Sequence, residues 1–244
     1  MAKSSGVAGG FYVGGYDLSG DVSSVDSISN SRSTIDVTAL NQSAMDRLLG
    51  KGTGEISFST FFNDAALAEH AILSSLPLTD TQVVYAKGGA IGDACAMMDA
   101  KQLNYDPSFN ADGSVGISVQ TVSTNAFPIE WGVMLSAADD THASAGSSAS
   151  LDHGASTSAG AAGYLQITSG TPTVLIQDSA NNSDWATLIA FTAVANTAEP
   201  AFERKELAGT VNRYLRITTT GTFSNCKFIV GIRRGLAVDD IAYA

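Results

Sequence analysis

From Glu55 to Phe61 the chain alternates with a period of two. Glu55, Ser57 and Ser59 point one way, and Ile56, Phe58 and Thr60 the other, the signature of a half-buried strand. Upstream, FYVGGYDLSGDVSSVDSI sets aromatics and valine among glycines and predicts an irregular or bulged strand. Thr34 to Thr38 predicts another. Ser43 to Leu49 fits a short helix, with Ser43 as N-cap and Gly50 as stop; Met45, Leu48 and Leu49 share one side, leaving Asp46 and Arg47 outside. The clearest helical pattern is AALAEHAILSSL, capped by Asn63 or Asp64 and ending before Pro77. Strands follow at residues 82–86, 94–103, 115–122 and 129–135, with DPSFNADGS turning the chain through Pro107 and Asp112-Gly113.

At Ser136 the pattern changes. SAADDTHASAGSSAS is small, polar and low in complexity, and reads as a linker. Six regularly spaced strand patterns then run over 163–168, 173–177, 186–194, 202–207, 214–219 and 227–233 without a helix, predicting a small β-sandwich. The expected organisation is a domain over 1–140, a linker over 141–150 and an outer β-sandwich over 151–244. Residues 1–10 are expected to be a flexible arm, and GLAVDDIAYA another.

With 244 residues the chain can bury a sizeable core. Its net charge of -11 is uneven: residues 1–150 hold 16 acidic and 6 basic side chains, whereas 151–244 hold 8 and 7. The N-terminal part should repel nucleic-acid phosphate, which needs clustered Lys and Arg. Cys95 and Cys226 make neither a disulfide framework nor a metal-ligand set and read as buried, reduced thiols. No stretch suits a signal peptide or a membrane span, so a soluble protein made in a cytosol is expected, without membrane insertion.

The inventory of catalytic groups is poor. His70 falls mid-helix, and His142 and His153 sit in or beside the predicted linker. GxSxG, HExxH and CxxC patterns are absent from the sequence. GKGTG at 50–54 lacks the ending of a phosphate-binding P-loop and precedes a strand. Asp17, Asp21 and Asp26 do not match a calcium loop and read as solvated turn carboxylates. Asn41-Gln42-Ser43 and Asn181-Asn182-Ser183 match glycosylation sequons, which mean little without secretion. No catalytic residue, cofactor or metal is expected, and the protein is not read as an enzyme.

The order of parts is nevertheless distinctive. YDLSGDVSSVDSI, STIDVTAL, AMDRLLGKGTGEISFSTFF, a helix ending LSSLPLTDTQVVY, and PIEWGVML together resemble the tail tube (major tail) proteins of long-tailed bacteriophages. The marks that carry the likeness are Asp36-Val37-Thr38, Met45-Asp46-Arg47 and Phe61-Phe62, and it covers about residues 10–137. The resemblance implies a mainly β fold: a β-sandwich or barrel-like domain flanked by one helix, with a C-terminal jelly-roll or immunoglobulin-like sandwich added. It implies six copies in a ring, and rings stacked head to tail around a tape-measure protein. The other implied partners are tail terminator and baseplate or distal tail proteins, with DNA present only in transit. The location implied is the virion tail, with a lean towards a non-contractile, siphovirus-type tail.

Within that frame the connector over 41–54 is expected to be an inter-ring assembly loop. Asp46, Arg47 and Lys51 would supply directional charge, and Gly50, Gly52 and Gly54 would let it reorder on contact. Glu55, Ser57, Ser59, Ser118 and Gln120 are candidates for a wet lumen wall, or equally for an outer solvent face. A second reading is a glycan-binding or adhesin-type β protein whose Trp185, Tyr164 or Tyr214 stack on sugars; the outer sandwich of a tail protein could also touch a host-surface glycan. The strand patterns favour core positions for those aromatics.

Overall fold

The computed structural model describes residues 9–124, 127–138, 140–192 and 200–235. The expected terminal arms therefore lie outside the described residues, except for Gly9, Gly10 and Gly235. In chain order the first strands are β1 (Gly10–Val13), β2 (Tyr16–Asp17), β3 (Val22–Asp36) and β4 (Arg47–Phe61), followed by helix α1 (Glu69–Leu73). Next come β5 (Thr81–Ala86), β6 (Ala94–Gln102), β7 (Asp106–Phe109), β8 (Val115–Ser123) and β9 (Glu130–Met134). The remainder are β10 (Thr141–His142), β11 (Leu151–Asp152), β12 (Ala161–Ser169), β13 (Thr173–Ser179), β14 (Ala186–Ala190), β15 (Ala201–Leu207), β16 (Tyr214–Thr220) and β17 (Cys226–Arg234). The fold is mainly β, as the alternation predicts.

Contacts divide the chain into two compact units along lines different from the expected domains. One holds residues 1–20, 81–97 and 130–244; the other holds 21–80 and 98–129. The predicted linker is not free chain. β10 pairs with β17 through Thr141↔Lys227 and His142↔Cys226. Thr219 then donates its backbone N–H to Gly146 at 2.8 Å, and Ser148 to Ile217 at 2.9 Å. Small polar residues suit close backbone approach as well as solvent, and composition does not separate the two.

In the first unit the strand order is β15-β12-β17-β9-β6-β5-β1-β2, with a separate sheet β11-β16-β13-β14. Leu165, Ile167, Val230 and Ile232 pack with Val174, Ile176, Leu215 and Ile217 to form the sandwich core. The opposite face of β12 and β17 is also covered: Ala162, Tyr164 and Ile229 join Tyr12, Val84, Met97 and Met134. Burial on both faces explains the nearly continuous apolar runs AAGYLQI and FIVGI. Cys95 and Cys226 are buried and unbridged, and burial pushes the Cys95 thiol up to about 12.

Glu130, fully buried, accepts hydrogen bonds from the Tyr164 hydroxyl and from Arg204 Nε, the latter at 2.8 Å. Arg233 Nη1 adds a longer contact at 3.5 Å. Desolvation alone would lower the Arg204 pKa, but bonding to Glu130 outweighs it and raises it. A buried carboxylate is thus satisfied by several donors, as low-dielectric surroundings demand.

Candidate assembly surface

The second unit is built on β3, β4 and β8. Val25, Phe58 and Val119 form one cross-strand row, and Ile28, Ile56 and Thr121 another. Phe58, Ile56 and Val119 have no exposed surface, so these rows are the inward face. Helix α1 covers part of this unit with Leu73 and Glu69, both buried. It spans five residues only, far shorter than the AALAEHAILSSL pattern suggests. Leu67 (φ 63°) and Leu76 (φ 47°) adopt the left-handed region on either side, which stops the helix from extending.

The outward face of the same strands is wet. Ser24, Ser59, Ser118 and Asp106 make one row, Ser27, Ser57 and Gln120 the next, and Ser29, Glu55, Val122 and Lys101 a third. Gln120 Nε2 donates to Glu55 Oε1 at 2.8 Å, the Ser27 and Ser57 hydroxyls lie 2.7 Å apart, and Ser59 Oγ donates to Asp26 at 2.7 Å. All five residues proposed from the alternation, Glu55, Ser57, Ser59, Ser118 and Gln120, therefore share one face. Lys101 is the sole basic residue in these rows, and its Nζ sits 2.5 Å from Asp80.

The segment expected as an inter-ring loop has another form. Residues 47–54 are strand, not helix or loop: β3 and β4 run in antiparallel register from Val22↔Thr60 out to Asp36↔Arg47. The register shifts at three bulges, between Val22 and Ser24, Val25 and Ser27, and Arg32 and Thr34. β8 reaches β4 only from Glu55 to Phe61, so beyond Gly54 the hairpin continues as a two-stranded ribbon. Alternating Leu48 and Leu49 gain more from cross-strand pairing, Ile35↔Leu48 and Thr34↔Leu49, than from a lone two-turn helix.

Gly54 is where the ribbon leaves the sheet. A Cβ there would come within 2.6 Å of the Ile129 backbone nitrogen and 3.2 Å of Met98 Sδ. Gly50 faces Ser33 in the same way, at 2.2 Å from its hydroxyl. Glycine permits close backbone approach here, a role distinct from the reordering expected of it. At the far end, Asp36 accepts from the backbone and hydroxyl of Thr38 at 2.9 and 2.5 Å, while Asp46 N–H donates to Thr38 Oγ1 at 2.9 Å. Those Thr38 donors lower the Asp36 pKa. The D-x-T mark is thus the lock of the hairpin tip.

Exposed apolar side chains concentrate on this ribbon: Ile35, Val37, Leu40, Met45, Leu48 and Leu49, with Leu40 fully solvent-accessible. Arg47 reaches Met45 Sδ at 2.8 Å, and Asp46 and Lys51 are exposed. The predicted charges are present, but the exposed apolar side chains beside them, which alternation sends to both faces of the ribbon, are the larger feature.

No protein-family model and no curated protein matches this chain. Among solved structures it is similar to the tail of an empty gene transfer agent particle with C6 symmetry, at 18% identity and a TM-score of 0.37, over 51% of this chain and 96% of that one. It is also similar to the SPP1 Dit protein, described as a hub adsorption apparatus in phages infecting Gram-positive hosts, at 10% identity and a TM-score of 0.35, over 92% and 98%. A third is the phage p2 baseplate in its activated conformation, at 7% identity and a TM-score of 0.35, over 95% and 100%.

The histidines have structural surroundings. His70 Nδ1 and the Tyr105 hydroxyl are 2.8 Å apart, and the His70 ring lies 4.8 Å from Phe62. His142 stacks on Phe228 at 4.4 Å. No cluster of metal-ligating side chains occurs among the described residues. Tyr164 is core, whereas Trp185 and Tyr214 are half-buried on the outside of the small sheet.

Proposed function

We propose that this chain is a non-enzymatic structural subunit of a bacteriophage tail that polymerises as stacked hexameric rings into the tail tube. The observation that carries this reading is the β3–β4 hairpin, which exposes Ile35, Leu48 and Leu49 on its two strands and Val37, Leu40 and Met45 at its tip. Such exposed apolar side chains are an aggregation liability unless a partner surface receives them. A second copy in the next ring supplies that surface, and head-to-tail contacts of this kind close into rings and stack. β3 adds a fifteen-residue strand that, among the described residues, pairs on one side only, leaving backbone donors and acceptors for a neighbour.

The hydroxyl- and carboxylate-lined face supports placement along the bore. DNA passing such a wall meets almost no cation to hold it. Six copies per ring, the tape-measure protein inside, and tail terminator and baseplate proteins at the ends follow from the sequence resemblance. Negative-stain microscopy of the concentrated full chain tests the reading. Annular particles or hollow rods are expected; monodisperse monomer at millimolar concentration would remove it.

A further inference from the structure

The small sheet β11-β16-β13-β14 buries Leu215, Ile217, Val174 and Ile176 on its inner side. Its outer side is ordered and polar. Asp152, Tyr214 and Ser179 stand in one row, Arg216, Gln177 and Thr187 in the next, and Thr218 and Leu175 in a third. Two arginines reach this side, and they differ. Arg213 is neutralised by Asp152 through two bonds of 2.6 Å and lies over the Tyr214 ring at 4.9 Å.

Arg216 has no carboxylate partner among the described residues. Its Nε donates to Gln177 Oε1 at 2.9 Å, and its guanidinium carbon sits 4.1 Å from the centre of the Trp185 ring. The side chain is thus fixed by an amide and an indole face, and its remaining N–H donors are left for something else. On a chain of net charge -11, an immobilised guanidinium without an acid is a prepared anion receptor. Its planar fork matches a carboxylate, and stacking holds the fork in place in advance.

The groups around it suit a hydroxylated ligand. Thr187, Thr218 and Gln177 flank Arg216, and the Ser147 hydroxyl lies 3.0 Å from that of Thr218. A peptide would instead call for an apolar pocket to anchor its side chains, whereas the groups beside Arg216 are threonine, glutamine and serine. We propose that this face binds a carboxylate-bearing sugar of the uronic-acid class, with Arg216 receiving the carboxylate and Trp185 and Gln177 holding Arg216 in position. The site is independent of ring assembly.

Calorimetry or saturation-transfer NMR with the full chain and a D-galacturonic acid trimer tests this. A neutral galactose trimer and a glutamate-rich peptide of equal charge serve as comparisons. Binding of the acidic trimer is expected with Kd on the order of millimolar, weakening as salt rises. Arg216→Gln should weaken it by roughly tenfold or more, with an unchanged melting temperature, and Trp185→Leu should weaken it less. If Arg216→Gln compromises folding, Arg216→Lys decides, because it keeps the charge and loses the fork; a comparable loss is expected. The proposal is overturned by absence of acidic-trimer binding, by equal binding of the neutral trimer or of the peptide, or by full retention of binding in folded Arg216 variants.

Discussion

Arg204 Nε lies 2.8 Å from the carboxylate of Glu130, a residue with no solvent-exposed surface. The two come from β15 and β9, 74 positions apart in sequence, and Tyr164 on β12 bonds to the same carboxylate. Truncation of one partner leaves an uncompensated buried charge. Glu130→Ala is therefore expected to cost about 3–5 kcal/mol, read from the shift of the urea midpoint. Replacing Glu130, Arg204 and Arg233 together by apolar residues of similar volume should cost less than the single change.

Glu69 supplies a pH dependence of definite sign. Burial raises its pKa, and the nearby Thr60, Tyr105, Asn63 backbone and His70 oppose this only in part. Its folded-state pKa thus exceeds the unfolded one. The associated stability is complete below the unfolded value and is lost as pH rises through the folded value. Thermal melts from mildly acid to neutral pH should show this decline. Glu69→Gln should flatten it.

At Gly132 a Cβ would stand 2.2 Å from the Ile232 carbonyl oxygen and 2.8 Å from the Met97 methyl. The backbone oxygen cannot move without disturbing the pairing of β9 with β17 at Ile232↔Val133. Gly132→Ala is expected to destabilise by about 1–3 kcal/mol, measured by chemical denaturation. A change of a few tenths would show that the two strands separate easily.

On the ribbon, assembly and stability should separate. Leu48 and Leu49 are exposed, so Leu48→Ser/Leu49→Ser should alter the free energy of unfolding by no more than about 0.5 kcal/mol per site. The same double variant, and charge reversal at Arg47 or Lys51, should leave folded monomer and abolish rods under the microscope. Unchanged rod yield would detach the ribbon from assembly.

Much of the strand content was legible, for a local reason. Alternation such as EISFSTF needs only one buried face, and its inward set, Ile56, Phe58 and Thr60, is the one observed. The regular run from residue 163 onward likewise gives β12 to β17 with small shifts at their ends. The errors share one cause. Leu48 and Leu49 fit a helical side with Met45, yet they lie in β4, because β3 offers a ladder of partners that no seven-residue helix can match. The apparent linker fails likewise: small polar residues near Gly146 bond to β16.

By itself the sequence determined the class of structure and the polarity of each strand face, since period-two alternation and the scarcity of Lys and Arg act residue by residue. It also placed Glu55, Ser57, Ser59, Ser118 and Gln120 on polar faces. Only the tertiary structure decided which strands pair, how the chain divides into units, and that Glu130, Tyr164 and Arg204 meet in the core. Those outcomes depend on contacts between residues far apart in the chain, whose energies no local pattern encodes.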